Sequence, residues 1–192
     1  MRVGEIQRKT GETQVYARID LDGNGVSKVS TTVKFLDHML TALATHSMID
    51  LEVKAQGDLQ HHIVEDVALT MGSALKQALG SFSGITRFGS ATVPMDEALA
   101  AVSIDLSNRA YCVIDLKTEW YAVEDAVVED LRHWFISFSQ ASGSTLHVKV
   151  EYGENDHHKI EAVFKAFALS LRHSVSKDPK RIGVPSSKEL LK

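Results

Sequence analysis

Residues 61–65 read His61-His62-Ile63-Val64-Glu65, and residues 157–161 read His157-His158-Lys159-Ile160-Glu161. The two copies lie 96 residues apart, and the likeness extends outward from them. Upstream, the run beginning HMLTALATHSMIDLEVKAQGD at His38 aligns with HWFISFSQASGSTLHVKVEYGE at His133, an offset of 95. Further upstream, Glu12–Leu21 (ETQVYARIDL) aligns with Glu97–Leu106 (EALAAVSIDL) at an offset of 85. The second copy gains about ten residues before its first helix, in KTEWYAVEDA at 117–126. Polar residues align as well as apolar ones, so the match is an internal duplication.

Within each copy the periodicities are plain. Val15, Ala17, Ile19 and Leu21 alternate with polar neighbours, as a strand does, and Asp22-Gly23-Asn24-Gly25 predicts a hairpin turn. Phe35, Leu36, Met39, Leu40 and Leu43 recur at helical spacing over 35–46, with His38, Ala42 and His46 in a row beside them. Residues 51–55 and 146–150 read as strands. Residues 61–79 and 157–175 read as long amphipathic helices, with Val64, Ala68, Leu69, Leu75 and Leu79 in the core of the first. Each half is then a β-β-α-β-α unit, and two such units packed as sheets against helices give an α+β fold. The expected organisation is one compact domain with repeats at 1–90 and 91–178 and a tail at 179–192.

Composition narrows the function. The chain has 192 residues, 44% hydrophobic and 24% charged, enough for a packed core. A net charge of −4 provides no positive field for nucleic acid or anionic membranes, but leaves small anionic substrates open. The single cysteine, Cys112, makes no internal disulfide. The polar start MRVGEIQRKTGETQ has no leader character, and no apolar run is long enough to span a membrane. A cytoplasmic protein is expected. Histidine is over-represented: eight of nine fall in the windows 38–62 and 133–158.

That histidine pattern suits metal ions. On a helix His61, His62 and Glu65 span an arc of about 100°, and neighbouring imidazoles diverge by that same angle. One ion does not readily take both, so the geometry favours two ions, one on either side. Six imidazoles and two carboxylates (His38, His61, His62, Glu65, His133, His157, His158, Glu161) divide into two sites of three His and one Glu. Such sites leave coordination positions for a substrate. Nitrogen and oxygen donors without thiolate suit Mn, Fe, Ni, Co or Zn. His147 and His173 have no repeat partner and read as strand-face or surface residues.

Four stretches carry a resemblance to a known family. These are FLDHMLTALATHSMIDLEVKAQGDLQHHIVEDVAL, RFGSATVPMDEALA followed by IDLSNRAY, TLHVKVEYGENDHHKIEAVFKAFALSLR, and PSSK. Together they closely resemble imidazoleglycerol-phosphate dehydratases of histidine biosynthesis, from about Glu12 to Lys188. The resemblance implies a duplicated α+β fold, dimetal manganese sites at subunit interfaces, and a homo-oligomer of 24 subunits built from trimers. It assigns the eight residues above as metal ligands. It assigns substrate contacts to Glu12, His46, Arg87, Arg109, Lys165, Ser186, Ser187 and Lys188. In one respect the chain departs from the family: Gly57-Asp58-Leu59-Gln60 runs directly into His61 and lacks the longer link, with its Asp-Asp pair, usual at that point.

The implied reaction removes water from a small phosphorylated imidazole, imidazole glycerol phosphate, giving imidazole acetol phosphate. Two divalent ions, manganese by family, would each bind one ring nitrogen and hold the ring as imidazolate, which expels hydroxide. Glu12, at a strand start and outside the ligand set, is the expected acid/base, with its repeat partner Glu97 structural. Arg87, Arg109 and Lys188 would clamp the phosphate, with Ser186 and Ser187 as neutral donors. The same ligands would also serve a metal hydrolase, which needs no phosphate pocket, or a metal-storage protein, which needs no Glu12.

Overall fold

The computed structural model describes residues 2–188. The first half runs β1 (Val3–Lys9), β2 (Thr13–Asp20), β3 (Ser27–Ser30), α1 (Lys34–Ser47), β4 (Asp50–Gly57) and α2 (Gln60–Leu79). The second runs β5 (Phe88–Met95), β6 (Ala98–Asp105), β7 (Tyr111–Asp115), a short pair β8 (Ala122–Val123) and β9 (Ala126–Val127), then α3 (Val128–Ser142), β10 (Thr145–Tyr152) and α4 (Asp156–Val175). The two four-stranded sheets have corresponding orders, β1-β2-β4-β3 and β5-β6-β10-β7. The α+β reading therefore holds, and the matching halves are consistent with duplication.

Each half begins one strand earlier than its sequence pattern suggests. β1 is an edge strand whose residues are mostly exposed, so it lacks the alternation that marks a half-buried strand. Its position is set by Gly4. A Cβ there would sit 1.8 Å from the Ala74 carbonyl oxygen of α2, so only glycine lets the helix rest on the strand. Gly89 of β5 repeats this against Ser170 of α4, at 1.9 Å. The second unit thus opens at Phe88, slightly before residue 91.

The turn at 22–25 does not join a hairpin. β4 inserts between β2 and β3, antiparallel to the first and parallel to the second. The turn instead carries the chain across the end of β4, where Asp50 Oδ1 accepts the backbone N–H groups of Asn24 and Val26, both at 2.8 Å. Among the described residues the hairpins are β1–β2, β5–β6 and the short β8–β9.

Helix packing crosses the halves. α2 lies on β1 and β2, and α4 on β5 and β6, while α1 packs against α4 and α3 against α2. One continuous apolar core results. Val64, Ala68, Leu75 and Leu79 are buried as the helical spacing requires, but Leu69 is half exposed, and Val67 and Met71 take core positions. No described helix is long and apolar enough to cross a membrane.

Candidate active site

The crossed packing decides which histidines meet. His38, one turn into α1, comes to the start of α4 from the other half. Its Nε2 lies 3.4 Å from Glu161 Oε2, and His157 Nε2 lies 3.3 Å from the same oxygen. The ligand atoms of His38, His157 and Glu161 fall within 4.8 Å of one another. In the reciprocal place, His133 of α3 meets α2: its ring centroid is 5.3 Å from that of His61, whose Nε2 is 3.7 Å from Glu65 Oε2. Both clusters therefore draw on both halves.

The two differ in surroundings. Lys165, one turn beyond Glu161, bonds Glu161 Oε1 at 2.8 Å. Burial pushes the Glu161 carboxyl up, but Lys165 and His38 outweigh it and hold it below the usual range. The corresponding residue on α2 is Leu69, so that position carries no cation beside Glu65.

All four paired histidines are tethered at Nδ1. His61 meets Asp130 at 2.7 Å, His62 meets Asp58 at 2.8 Å, His157 meets Glu124 at 3.1 Å, and His158 meets Glu97 at 2.7 Å. A carboxylate there fixes the proton on Nδ1 and leaves the Nε2 lone pair for a cation. None of these tethers except Glu97 was singled out from sequence. Asp58 precedes His62 by one helical turn, a signal that could have been found. Glu124 lies 33 residues from His157 in the chain, and Asp130 69 residues from His61, so spacing is silent on them.

Neighbouring histidines diverge, as the helical angle requires. His62 and His158 face the hairpin loops: His62 Nδ1 is 3.7 Å from Glu12 Oε2, and His158 Nε2 is 3.7 Å from Asp96. The starts of the two helices are built differently. Asn155 caps α4 by accepting the His157 and His158 N–H groups, whereas α2 has no side-chain cap, and Asp58 accepts the Leu59 N–H instead.

The expected substrate contacts are dispersed within one chain. Glu12 is exposed at the β1–β2 hairpin. His46 is exposed in the last turn of α1, about 12 Å along the helix from His38. Arg109 is exposed in the β6–β7 loop, where its carbonyl accepts the Ser107 and Thr145 hydroxyls. Arg87 is already engaged: Nε and Nη2 grip Asp105 at 2.6 and 3.0 Å, and Nη1 donates to the Pro185 carbonyl at 2.7 Å. It thereby holds the segment bearing Ser186, Ser187 and Lys188. Of the expected tail, residues 189–192 lie outside the described residues. His147 and His173 are exposed, the first on β10 and the second near the far end of α4, about 18 Å along that helix from Glu161.

The fold and clusters define a duplicated α+β protein whose halves jointly assemble histidine–carboxylate centres. The family profile described as imidazoleglycerol-phosphate dehydratase matches residues 31–171. The enzyme of that name from Syntrophomonas wolfei is 46% identical over 193 residues, covering 99% of this chain and 98% of its own. The Zymomonas mobilis enzyme is 48% identical over 97% of each. Among solved structures, the Pyrococcus furiosus enzyme superposes with a TM-score of 0.85 at 35% identity, covering 97% of this chain and all of its own. The Staphylococcus aureus enzyme does so at 0.84 and 32%, covering 92% and 99%. The chain belongs to the imidazoleglycerol-phosphate dehydratase family, and is a hydro-lyase of histidine biosynthesis.

Proposed function

We propose that the chain dehydrates imidazole glycerol phosphate to imidazole acetol phosphate with two divalent ions, manganese first among them. One would be held by His38, His157 and Glu161, the other by His61, His133 and Glu65. The observation that carries the reading is the Nδ1 tethering of four histidines by carboxylates, which leaves their Nε2 atoms as donors. Imidazole and carboxylate without thiolate fit such ions; the half-buried Cys112 is not in either cluster. When bound, the ions would supply Lewis acidity to the two ring nitrogens and hold the ring as an anion.

His38, His157 and Glu161 bring their ligand atoms within 4.8 Å of one another, His61, His133 and Glu65 form the looser counterpart, and each set is one imidazole short of that read from sequence. His62 and His158 face the hairpin loops, away from these clusters, with Nδ1 already tethered, and in this reading they complete the clusters of neighbouring copies. A homo-oligomer with sites at its interfaces follows from that sharing, and 24 subunits built from trimers is the form the family resemblance implies. It also brings the dispersed contacts together.

The chain's own groups then divide the work. Glu12 has a largely exposed carboxylate beside His62 and takes the proton from the second carbon out from the ring, next to the carbon that loses hydroxide. Lys165 and His46 bind substrate oxygens. Arg109, Lys188, Ser186 and Ser187 bind the phosphate, and Arg87 acts by holding the tail that presents three of them. A small phosphorylated imidazole is the only partner proposed besides other copies of the chain. The free thiol, with burial pushing its pKa up to about 11, fits a reducing cytoplasm.

Product analysis tests the reading. Imidazole acetol phosphate formed without release of free phosphate supports it; free phosphate would indicate a hydrolase. Light scattering with and without chelator tests the assembly, which should shrink when metal is removed.

A further inference from the structure

The ten residues added in the second half are the one large break in the symmetry of the duplication, and they touch both halves. The segment is anchored at its start by a buried ion pair. Lys159 and Asp156, 2% and 3% exposed at the side chain, are 2.9 Å apart. Lys159 Nζ donates to the Lys117 carbonyl, and Asp156 Oδ2 accepts the Glu119 and Trp120 N–H groups. At its end the segment reaches the His38 cluster twice. Glu124 Oε1 takes the Nδ1 of His157 at 3.1 Å. Asp125 accepts the N–H groups of Lys34 and Phe35 at 2.6 and 2.8 Å.

Those two N–H groups open α1, whose own preceding residue, Val33, supplies no side-chain cap. A carboxylate at a helix start satisfies unpaired donors and favours the positive end of the helix dipole. Asp125 thus sets the start of the helix that carries His38 one turn on, from 91 residues away. Phe35, held by the same carboxylate, packs its ring edge-on against His157 at 5.0 Å between centroids. The adjacent pair therefore fixes both histidines of one cluster.

We propose that Glu124 and Asp125 are positioning residues that preorganise the His38–His157–Glu161 cluster for its cation. The inference rests on the reading of that cluster as a cation site. Carboxylates that hold the far nitrogen of a metal-binding histidine are generally worth about 10- to 100-fold in affinity. Neither carboxylate bonds the His61–Glu65–His133 cluster; Asp125 reaches the start of α2 only through its backbone carbonyl, which accepts the Gln60 amide and is kept in a side-chain variant, so the side-chain effect is confined to one of two sites.

The test is Mn2+ binding to the metal-stripped whole protein by calorimetry, with melting temperature measured in parallel. Glu124→Gln and Asp125→Asn should each weaken one of two binding events by about 10- to 100-fold and leave the other unchanged. Glu154→Gln, which removes a charge from the same rim without a bond to His157, should leave both unchanged. Glu124 is exposed, so its variant keeps the fold even if Asp125→Asn lowers the melting temperature. Unchanged affinities in Glu124→Gln and Asp125→Asn, with two events in the parent protein, would overturn the positioning role alone. An equal loss in Glu154→Gln would reduce it to net charge. No binding by the parent protein would overturn the cation reading and this inference with it.

Discussion

Glu97 closes on His158, its Oε2 2.7 Å from Nδ1, whereas Glu12, at the equivalent hairpin of the other half, stays 3.7 Å from His62. The reason is local. Asp58 already occupies His62 Nδ1, so Glu12 is not drawn in. Glu97 also accepts the Asn155 and Glu154 N–H groups, and these bonds with His158 hold its carboxyl at about 2. One of two repeat-related glutamates is a locked acceptor; the other keeps an exposed carboxylate, as the proposed proton transfer requires.

Glu12→Gln keeps the side chain's shape but removes its basicity. Turnover should fall by about 10²–10⁴ with metal content unchanged. Glu97→Gln should instead weaken metal retention through His158. Metal analysis beside kcat on both variants checks the division, and a Glu12→Gln protein at near-parental kcat would remove Glu12 from the chemistry.

The two arginines should separate by stability. Arg87→Ala breaks a paired fork and frees the Pro185 segment, so it should cost about 1.5–3 kcal/mol and expose residues 176–188 to protease. Arg109→Ala should leave the melting temperature alone and raise KM by about ten- to a hundred-fold. Thermal melts, limited proteolysis and KM together decide. If Arg87→Ala changes KM with no loss of stability or protease resistance, its grip on the tail is unimportant.

Gly89→Ala should destabilise the second half, because the new methyl meets the backbone oxygen of Ser170, which cannot swing away like a side chain. The cost should be about 1–3 kcal/mol, as for overpacking elsewhere, and Gly4→Ala should match it. Denaturant melts of both measure this; parental stability in either would mean the strand and helix separate more easily than their packing indicates.

Acid should loosen the turn over β4. The Val26 and Asn24 N–H groups hold the Asp50 carboxyl below its ordinary value. A depressed carboxyl contributes stability that is present in full above about pH 4 and lost as pH falls through the lower folded value. Asp50→Ala should remove that component, so the stability difference from the parent should shrink as pH falls below about 4. A difference that stays constant across that range would contradict it.

Sequence carried much of this. The 3.6-residue spacing of Phe35, Leu36, Met39 and Leu43 marked α1, and the repeated HHxxE marked both long helices. What it left open is non-local. Spacing did not say which HHxxE His38 joins; the packing of α1 on α4 decides that. β1 was hidden because an exposed edge strand needs no apolar alternation. The DGNG turn looked like a hairpin because turn chemistry is local, while the insertion of β4 beside β2 is not. Three of the four Nδ1 tethers come from 33 to 69 residues away, beyond any helical period.

The central claim is that the two crossed clusters of each chain hold the ions the reaction needs. Its most direct test strips the protein of metal, returns Mn2+ in measured equivalents and follows formation of imidazole acetol phosphate. Turnover should be negligible without metal and should rise until it levels off at two equivalents per chain, one for each cluster. Full turnover by the metal-free protein, or a plateau at one equivalent, would contradict it.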